Sequence, residues 1–341
     1  LLKAVFIREH GAIGPLCYEE ITPPRLTSPS DVVVKLKAAS VDDIDPAATK
    51  GLPGAEAPPL LVLGADGAGT VFEAGPEVKN LDAGDRVCLY PARGCGLCEF
   101  CSAEREFMCP RRRPRGTYAE YVKVGMQDCY AIPDGLSFDE AAAIPSAYLT
   151  AWHMLVTGAQ IRPGEHVLIP NIGGGVACAA LQIAKAFGAR VIVASESDEK
   201  LAVARERGAD HGVNERRSDL ASEVRQLTAK RGVDIVVASV GRGHWDKSLA
   251  ALAKGGRLAV CGAGCGPIVE INVRRIFWNQ LAIFGSTLGS RAEFQELLSF
   301  FGRAGIRPIV DRGFPLKEAA AAHRLVEADG QFGKVVLRVD E

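Results

Sequence analysis

Four cysteines, Cys95, Cys98, Cys101 and Cys109, are crowded into fifteen residues with the spacing C-x2-C-x2-C-x7-C. Four thiolates in so tight a loop match a closed tetrahedral zinc site. Such a site has no open coordination position, so its metal holds the loop together and performs no chemistry. Cys109 is followed by Pro110, as in bacterial ferredoxin runs, but those close on x3 rather than x7. Four free thiols are the third alternative, and so dense a cluster needs a reason. The other six, Cys17, Cys88, Cys129, Cys178, Cys261 and Cys265, are scattered and read as small buried apolar side chains. This usage points to a metal site in a reducing, cytoplasmic setting rather than to a disulfide framework.

A second signal is the stretch HVLIPNIGGGVACAALQIAKAFGARVIVASES, beginning at His166. It reads as a strand, a glycine-rich turn, a helix and a second strand. Glycines in such a turn let the backbone approach a pyrophosphate and present N–H groups at the helix N-terminus. The G-x-G-x-x-G frame falls on Ile172, Gly174 and Ala177, so only the middle glycine is kept, although Ala is tolerated at the last position. An Asp or Glu about 20 residues past the turn would bind the ribose 2′-hydroxyl of NAD. Ser195 stands there instead, with Lys200 nearby, and a serine with a lysine can accept a 2′-phosphate. Glu196 and Asp198 oppose a phosphate. The balance favours NADP(H) over NAD(H).

The elements that must carry these residues change character along the chain. The first 130 residues hold short strand signals at 31–37, 62–74 (a pair broken by Gly64, Gly67 and Gly69), 85–90 and 118–124. From Gly164 strands alternate with helices: strands at 166–170, 188–195, 233–240 and 256–262, helices at 174–187, 198–207 and 244–253. Apolar strands alternating with helices imply parallel βαβ units covered on both faces. Two further strands, LAIFGS and KVVLRV, and two helices follow. The basic cluster 111–115 reads as a solvated loop.

Composition bounds the rest. At 341 residues two domains are expected, and 48% hydrophobic with 24% charged residues is ordinary for a soluble globular chain. A net charge of −1 gives no attraction to nucleic acid or to a membrane surface. The uncharged run 141–161 is long enough to span a bilayer, but its Pro145, Ser146, Thr150, His153, Thr157 and Gln160 read as protein interior. LLKAVFIREH lacks the features of a secretory signal.

Taken together, these features resemble the medium-chain dehydrogenase/reductase superfamily, the zinc alcohol dehydrogenases and quinone oxidoreductases. KAASVDDIDPAATKG is similar to its first active-site loop, and PPLLVLGADGAGTVFEAGPEVKNLDAGDRV to its glycine-rich signature. The four cysteines match its structural zinc lobe. GTYAEYV, EAAAIPSAYLTAWHML, GGRLAVCGAGCG, FWNQLAIFGSTLGS and FGKVVL follow in the family's order. The resemblance implies an α/β fold. A GroES-like β-barrel catalytic domain spans 1–128 and 271–341, with the zinc lobe at 93–112. A Rossmann doubly wound parallel-sheet domain spans 129–270, and the cleft between the two takes the nicotinamide. It further implies a cofactor site at Thr150, Gly173, Gly174, Gly175, Val176, Ser195, Lys200, Gly262, Ala263, Phe284, Ser286 and Thr287. The family pattern also implies a homodimer or dimer of dimers through 276–286, a strand that pairs with its own copy and removes an exposed sheet edge.

The departure is at the catalytic metal. Zinc alcohol dehydrogenases of this family hold a second zinc with a cysteine, a His-Glu pair and a Cys or acid. The matching positions here are Asp42, Ala65 with Asp66, and Ser146. Only hard oxygen donors remain, a poor set for zinc. Without a Lewis acid a simple alcohol is a poor hydride donor, whereas a quinone or enone delocalises the incoming charge onto oxygen, where a few donors stabilise it. The expectation is therefore NADPH-dependent reduction of a quinone or α,β-unsaturated carbonyl, with one structural zinc and a small-molecule substrate. Asp42, Ser146 and Tyr148 are the candidate catalytic residues. The tyrosine that some quinone reductases carry two residues past the Asp of this loop is Ala47. Two alternatives remain: an alcohol dehydrogenase or carbonyl reductase with an unusual metal site, and a non-catalytic NADP(H)-binding protein.

Overall fold

The apolar runs of the N-terminal third become strands in the computed structural model, which describes residues 1–10, 16–51, 60–113, 115–239, 242–264 and 266–339. β1 (Leu2–Ile7) pairs antiparallel with β2 (Cys17–Ile21). β3 (Asp31–Val41) is the long strand of the region and is followed by α1 (Ile44–Lys50). β4 (Leu61–Val62) pairs with β1, and β5 (Asp66–Ala74) with β3. The expected strand pair at 62–74 is broken only at Gly64, whose φ is +88°. Gly67 and Gly69 lie inside β5, where a Cβ on Gly69 would stand 2.1 Å from the Lys35 carbonyl oxygen. These glycines therefore allow close approach to β3 rather than ending a strand.

β6 (Arg86–Leu89), α2 (Glu99–Ser102), β7 (Tyr121–Gly125), β8 (Cys129–Ala131) and α3 (Phe138–Ala142) follow. A capping box of Ser137 with Glu140 starts α3, which packs on β3 and β5. The consecutive Val32, Val33 and Val34 of β3 are accordingly all buried. The uncharged run 141–161 is divided between the end of α3, α4 (Pro145–Trp152) and a π-helical turn, His153–Gly158. Among the described residues no helix is long and apolar enough to cross a membrane.

The alternating pattern beyond is β9 (His166–Ile169), α5 (Gly175–Ala186), β10 (Arg190–Ser195), α6 (Asp198–Glu206), β11 (His211–Asn214), α7 (Leu220–Leu227), β12 (Val233–Ala238), α8 (Trp245–Ala251), β13 (Leu252–Val260), α9 (Val273–Trp278) and β14 (Ala282–Gly285). These six strands form one parallel sheet in the order β11-β10-β9-β12-β13-β14. The order reverses between β9 and β12, as in a Rossmann fold. α10 (Arg291–Ala304), β15 (Val310–Pro315), α11 (Ala319–Glu327) and β16 (Lys334–Arg338) then return to the first sheet, whose order is β15-β16-β3-β5-β6-β8 with β7 on β3.

The chain divides into two compact units, 1–147 with 290–341, and 148–289. The divisions expected at 128/129 and 270/271 lie earlier in the chain. β8 and α3 stay with the first unit because β8 pairs with β6 and α3 packs on β3, and β14 stays with the second because it pairs with β13. One core, including Val5, Val34, Leu36, Val71, Leu89 and Leu337, lies under both sheets of the first unit. A second, including Leu168, Ile192, Val224, Val236 and Leu258, lies within the other. On α9, which precedes the edge strand β14 in the chain, Val273, Phe277 and Trp278 are exposed. Cys265, Val240 and Pro114, each part of an expectation above, lie outside the described residues.

Candidate functional site

The cysteine loop folds into a sulfur cage. α2 supplies Cys101 just after Cys98, and the 3-10 turn Glu106–Met108 delivers Cys109. The four Sγ atoms lie within 4.8 Å of one another, with Cys98–Cys101 at 3.6 Å and Cys95–Cys101 at 4.0 Å. A tetrahedron with Zn–S of about 2.3 Å has S–S edges of about 3.8 Å. The spacing fits that ion and is far beyond a disulfide of about 2.05 Å. The Cys95 N–H donates to Cys109 Sγ at 3.4 Å, and Arg111 donates to Cys95 Sγ at 3.2 Å, as suits thiolate acceptors.

The loop is clamped from behind by buried charge. Arg291, the first residue of α10, donates to Asp128 Oδ1 at 2.9 Å and also bonds Glu106. Arg115 reaches Asp128 Oδ2 at 2.8 Å and donates to the carbonyls of Tyr90 and Ala92. The expectation that 111–115 is a solvated loop therefore fails at Arg115. Its side chain can be buried because its several N–H groups are spread over Asp128 and the carbonyls of Tyr90 and Ala92.

A second polar centre lies in the first unit, on three adjacent strands. Register sets Asp66 of β5 opposite Ser40 of β3, and Val335 of β16 opposite Val41. Asp42, two residues past Ser40, and Lys334, next to Val335, are thereby brought together. Lys334 is 3% exposed, and its ammonium bonds Asp42 Oδ1 and lies 3.4 Å from Asp66 Oδ2. Asp66 is fully buried and accepts from Ser40 Oγ (3.0 Å), from the Ser146 N–H (3.0 Å) and from Ser146 Oγ (2.5 Å). Burial, and then the charge of Asp42, push the Asp66 carboxyl well above its ordinary range, against the pull of Lys334. Burial also acts on Lys334, but Asp42 and Asp66 outweigh it and hold the ammonium charged.

Asp45 on α1 extends the centre. Its Oδ2 accepts from the Asp42 N–H at 2.9 Å and from the Tyr118 hydroxyl at 3.0 Å, and that hydroxyl lies 3.3 Å from His323 Nε2. Burial, with Asp42 second, raises Asp45 to about 7, while burial lowers His323 to about 4. The sequence reading singled out Asp42, Asp66 and Ser146 but missed Lys334, Asp45, Tyr118 and His323. Lys334 was legible only as the first residue of a strand, 292 residues from Asp42. Tyr148 is placed differently. It is buried in the second unit and its hydroxyl donates to Gln182 Oε1 at 2.5 Å, holding α4 on α5.

In the second unit the glycine turn joins β9 to α5. Ile172 is buried and its N–H donates to the Ala194 carbonyl, so the position of the first glycine is filled by a core residue. The turn is made instead by Asn171 (φ 51°) and Gly173 (φ 135°). A Cβ on Gly173 would stand 2.8 Å from Lys200 Nζ, so only glycine lets that ammonium lie against the turn. Gly174 caps α5 without a side-chain acceptor, leaving the N–H groups around Gly175 and Val176 to the helix end. Ser195 ends β10 and its Oγ accepts from the Ser197 N–H at 3.1 Å. Glu196 turns outward to Arg216 at 3.1 Å, and Asp198 pairs with Arg217 at 2.5 Å.

Other expected cofactor residues are less open. Thr150 is buried on α4, and the Phe284 ring packs against Gly158. The Ser286 N–H is taken by the Val260 carbonyl at 2.8 Å. Gly262 is held so close to the Ser239 carbonyl that a Cβ would meet it at 1.9 Å. Ala263 and Thr287 follow β13 and β14 respectively.

A sulfur cage on one unit and a glycine turn at the sheet reversal of the other are the parts of a two-domain dehydrogenase. The chain matches the models of the alcohol dehydrogenase GroES-like domain over 28–134 and of zinc-binding dehydrogenase over 175–303. It is 34% identical to an alcohol dehydrogenase of Geobacillus stearothermophilus, over 96% of this chain and 97% of that one. It is 28% identical to the quinone oxidoreductase of Homo sapiens, over 99% and 98%. The crystal structure of an NAD-dependent alcohol dehydrogenase superposes with a TM-score of 0.92 at 40% identity, covering 99% of each chain. This chain belongs to the medium-chain dehydrogenase/reductase superfamily, and it is an oxidoreductase of that type.

Proposed function

We propose that this oxidoreductase reduces a quinone or an α,β-unsaturated carbonyl with NADPH and uses no catalytic zinc. The observation that carries the reading is Lys334. At the positions where metal-dependent relatives place their ligands, Ala65 has no donor, Ser146 Oγ donates to Asp66, and an ammonium lies between Asp42 and Asp66. That set does not fit zinc, because its carboxylate oxygens already accept from N–H and O–H groups and a fixed positive charge would repel a divalent ion. Bound NADPH would supply the hydride. The chain's own residues would supply the proton and the oxygen contacts. Ser146 Oγ donates to Asp66 in a short hydrogen bond, and burial pushes that carboxyl upward, so this pair is the proposed source of the proton.

The cofactor is assigned to Gly173, Gly174, Gly175 and Val176 at the pyrophosphate, and to Ser195 and Lys200 at the 2′-phosphate. Arg216 and Arg217 support this by pairing the two acids that would repel a phosphate. The four cysteines hold one structural zinc, and the exposed β14 edge with Phe277 and Trp278 is the dimer surface. The departure at Ile172 no longer favours a non-catalytic role, since Asn171 and Gly173 make the turn without a first glycine. The alcohol dehydrogenase reading keeps the support of the NAD-dependent structure above. The deciding experiment follows NADPH oxidation against a panel of quinones and enones, NAD(P)+ reduction against alcohols, and zinc content. Turnover of the panel with one zinc per chain is expected. Alcohol oxidation with two zincs per chain would replace this reading.

A further inference from the structure

The first unit gathers three carboxyl groups, the buried Asp45 and Asp66 and the half-buried Asp42, around one ammonium. Burying a charge is costly unless it is paired, so an interior lysine here needs a reason beyond filling space. Its aliphatic stem enters from β16, and strand register brings that residue beside Ser40 and Asp66 on the neighbouring strands and Asp42 just past β3, where its ammonium bonds Asp42 and Asp66.

We propose that Lys334 is the positioning cation of this centre: held between Asp42 and Asp66, its ammonium supplies the fixed positive charge that sets the two carboxyl groups in place and directs Asp66 onto Ser146. The assignment rests on the metal-free reading above and deepens it. A divalent ion would bind the carboxylates directly and leave Ser146 as a ligand. The ammonium instead occupies one oxygen of each acid, Asp42 Oδ1 and Asp66 Oδ2, and leaves Asp66 Oδ1 to both donors of Ser146. The role is directional as well as electrostatic. Lys334 acts through Asp66, and Ser146 is the group it orients.

The groups facing the ammonium come from every element around it. Asp42 follows β3, Asp45 lies on α1, Asp66 and the Cys88 thiol on β5 and β6, and Tyr118 and His323 beyond Asp45, with Asp43, Asp329 and Glu327 further out. Lys334 is the cation acting on Asp42's acidic neighbours Asp45 and Asp66. Without it, Asp42 and Asp66 repel each other unscreened, and the Asp66 and Asp45 carboxyls lose the charge that pulls them down. An acid whose folded pKa is raised destabilises the fold as pH rises above its unfolded value.

The test uses the full-length zinc-loaded protein and the variants Lys334→Met and Lys334→Arg. Thermal unfolding is followed from pH 5 to pH 8, and zinc is counted in each sample. For Lys334→Met the loss in Tm relative to wild type is expected to widen by roughly 5 °C or more across that range. Lys334→Arg is expected to restore most of the wild-type pH dependence. A loss that is the same at every pH would show a packing role only and overturn the proposal. If Lys334→Met does not fold, the double variant with Asp42→Asn removes the pair together. It is expected to fold with a nearly pH-independent offset, and no recovery would equally overturn the proposal. A second zinc in the wild type would overturn the metal-free reading instead, so the two failures are distinguishable.

Discussion

Asp45 lies beneath Tyr118 with its carboxyl raised to about 7, against about 3.9 for an unfolded aspartate. Between those values the folded chain holds a proton that the unfolded chain has released. Stability from this group is therefore complete below about pH 4 and lost as pH rises towards 7. Asp45→Asn keeps an acceptor for Tyr118 and for the Asp42 N–H but removes the titration. Its Tm relative to wild type should climb steadily from pH 4.5 to 7.5, and a flat difference would show that Asp45 is ionised throughout. His323, lowered to about 4, acts with the opposite sign, its contribution being lost as pH falls below about 6.5. Ser195 is the other residue with a sharp consequence. If the pocket is built for a 2′-phosphate, wild type should prefer NADPH by roughly tenfold to a hundredfold. Ser195→Asp should reverse that preference, and Lys200→Ala should shrink it. Equal binding of NADH and NADPH by wild type, measured by fluorescence titration, would refute the assignment.

Among the elements, the cysteine loop depends most on a distant partner. α2 has only four residues and cannot hold its shape alone. Arg291 at the start of α10 holds it through Glu106 and Asp128. Arg291→Ala would leave two buried carboxylates short of a partner, a loss of about 3–5 kcal/mol in comparable cases. The expected result is a lower Tm together with faster zinc release to a chromogenic chelator. Zinc release at the wild-type rate would mean that the cage is self-supporting. Cys98→Ser should lose the metal and destabilise the first unit while affinity for NADPH, whose proposed site is on the second, stays nearly intact.

At the scale of the whole molecule, the edge strand β14 and the helix before it carry the proposed interface. Phe277 and Trp278 are 58% and 71% exposed on the helix that leads into an edge strand, and proteins commonly cover exposed apolar side chains and sheet edges. Sedimentation is expected to show a dimer or tetramer at micromolar concentration. Trp278→Glu should shift it towards monomer without changing zinc content, and a monomeric wild type would remove this edge from consideration as an interface.

The division between strand-rich and alternating halves, the cysteine cage and the glycine turn were readable from local spacing, because each is made by residues close in sequence whose geometry follows from type and interval. The turn at Ile172 could be read only in part: a missing glycine is visible in the sequence, but its replacement by Asn171 with positive φ is a backbone fact. Of the Asp42–Lys334–Asp66 centre only the two acids could be read, through the family resemblance, and Lys334 and the Arg115–Asp128–Arg291–Glu106 clamp could not. Both are assembled by strand register and helix docking between segments far apart in the chain. A lysine opening an apolar strand, or an arginine in a basic loop, looks like surface until the fold closes over it. What decides its role is which carboxylates the tertiary structure has already buried, since a buried acid must find a cation or keep its proton.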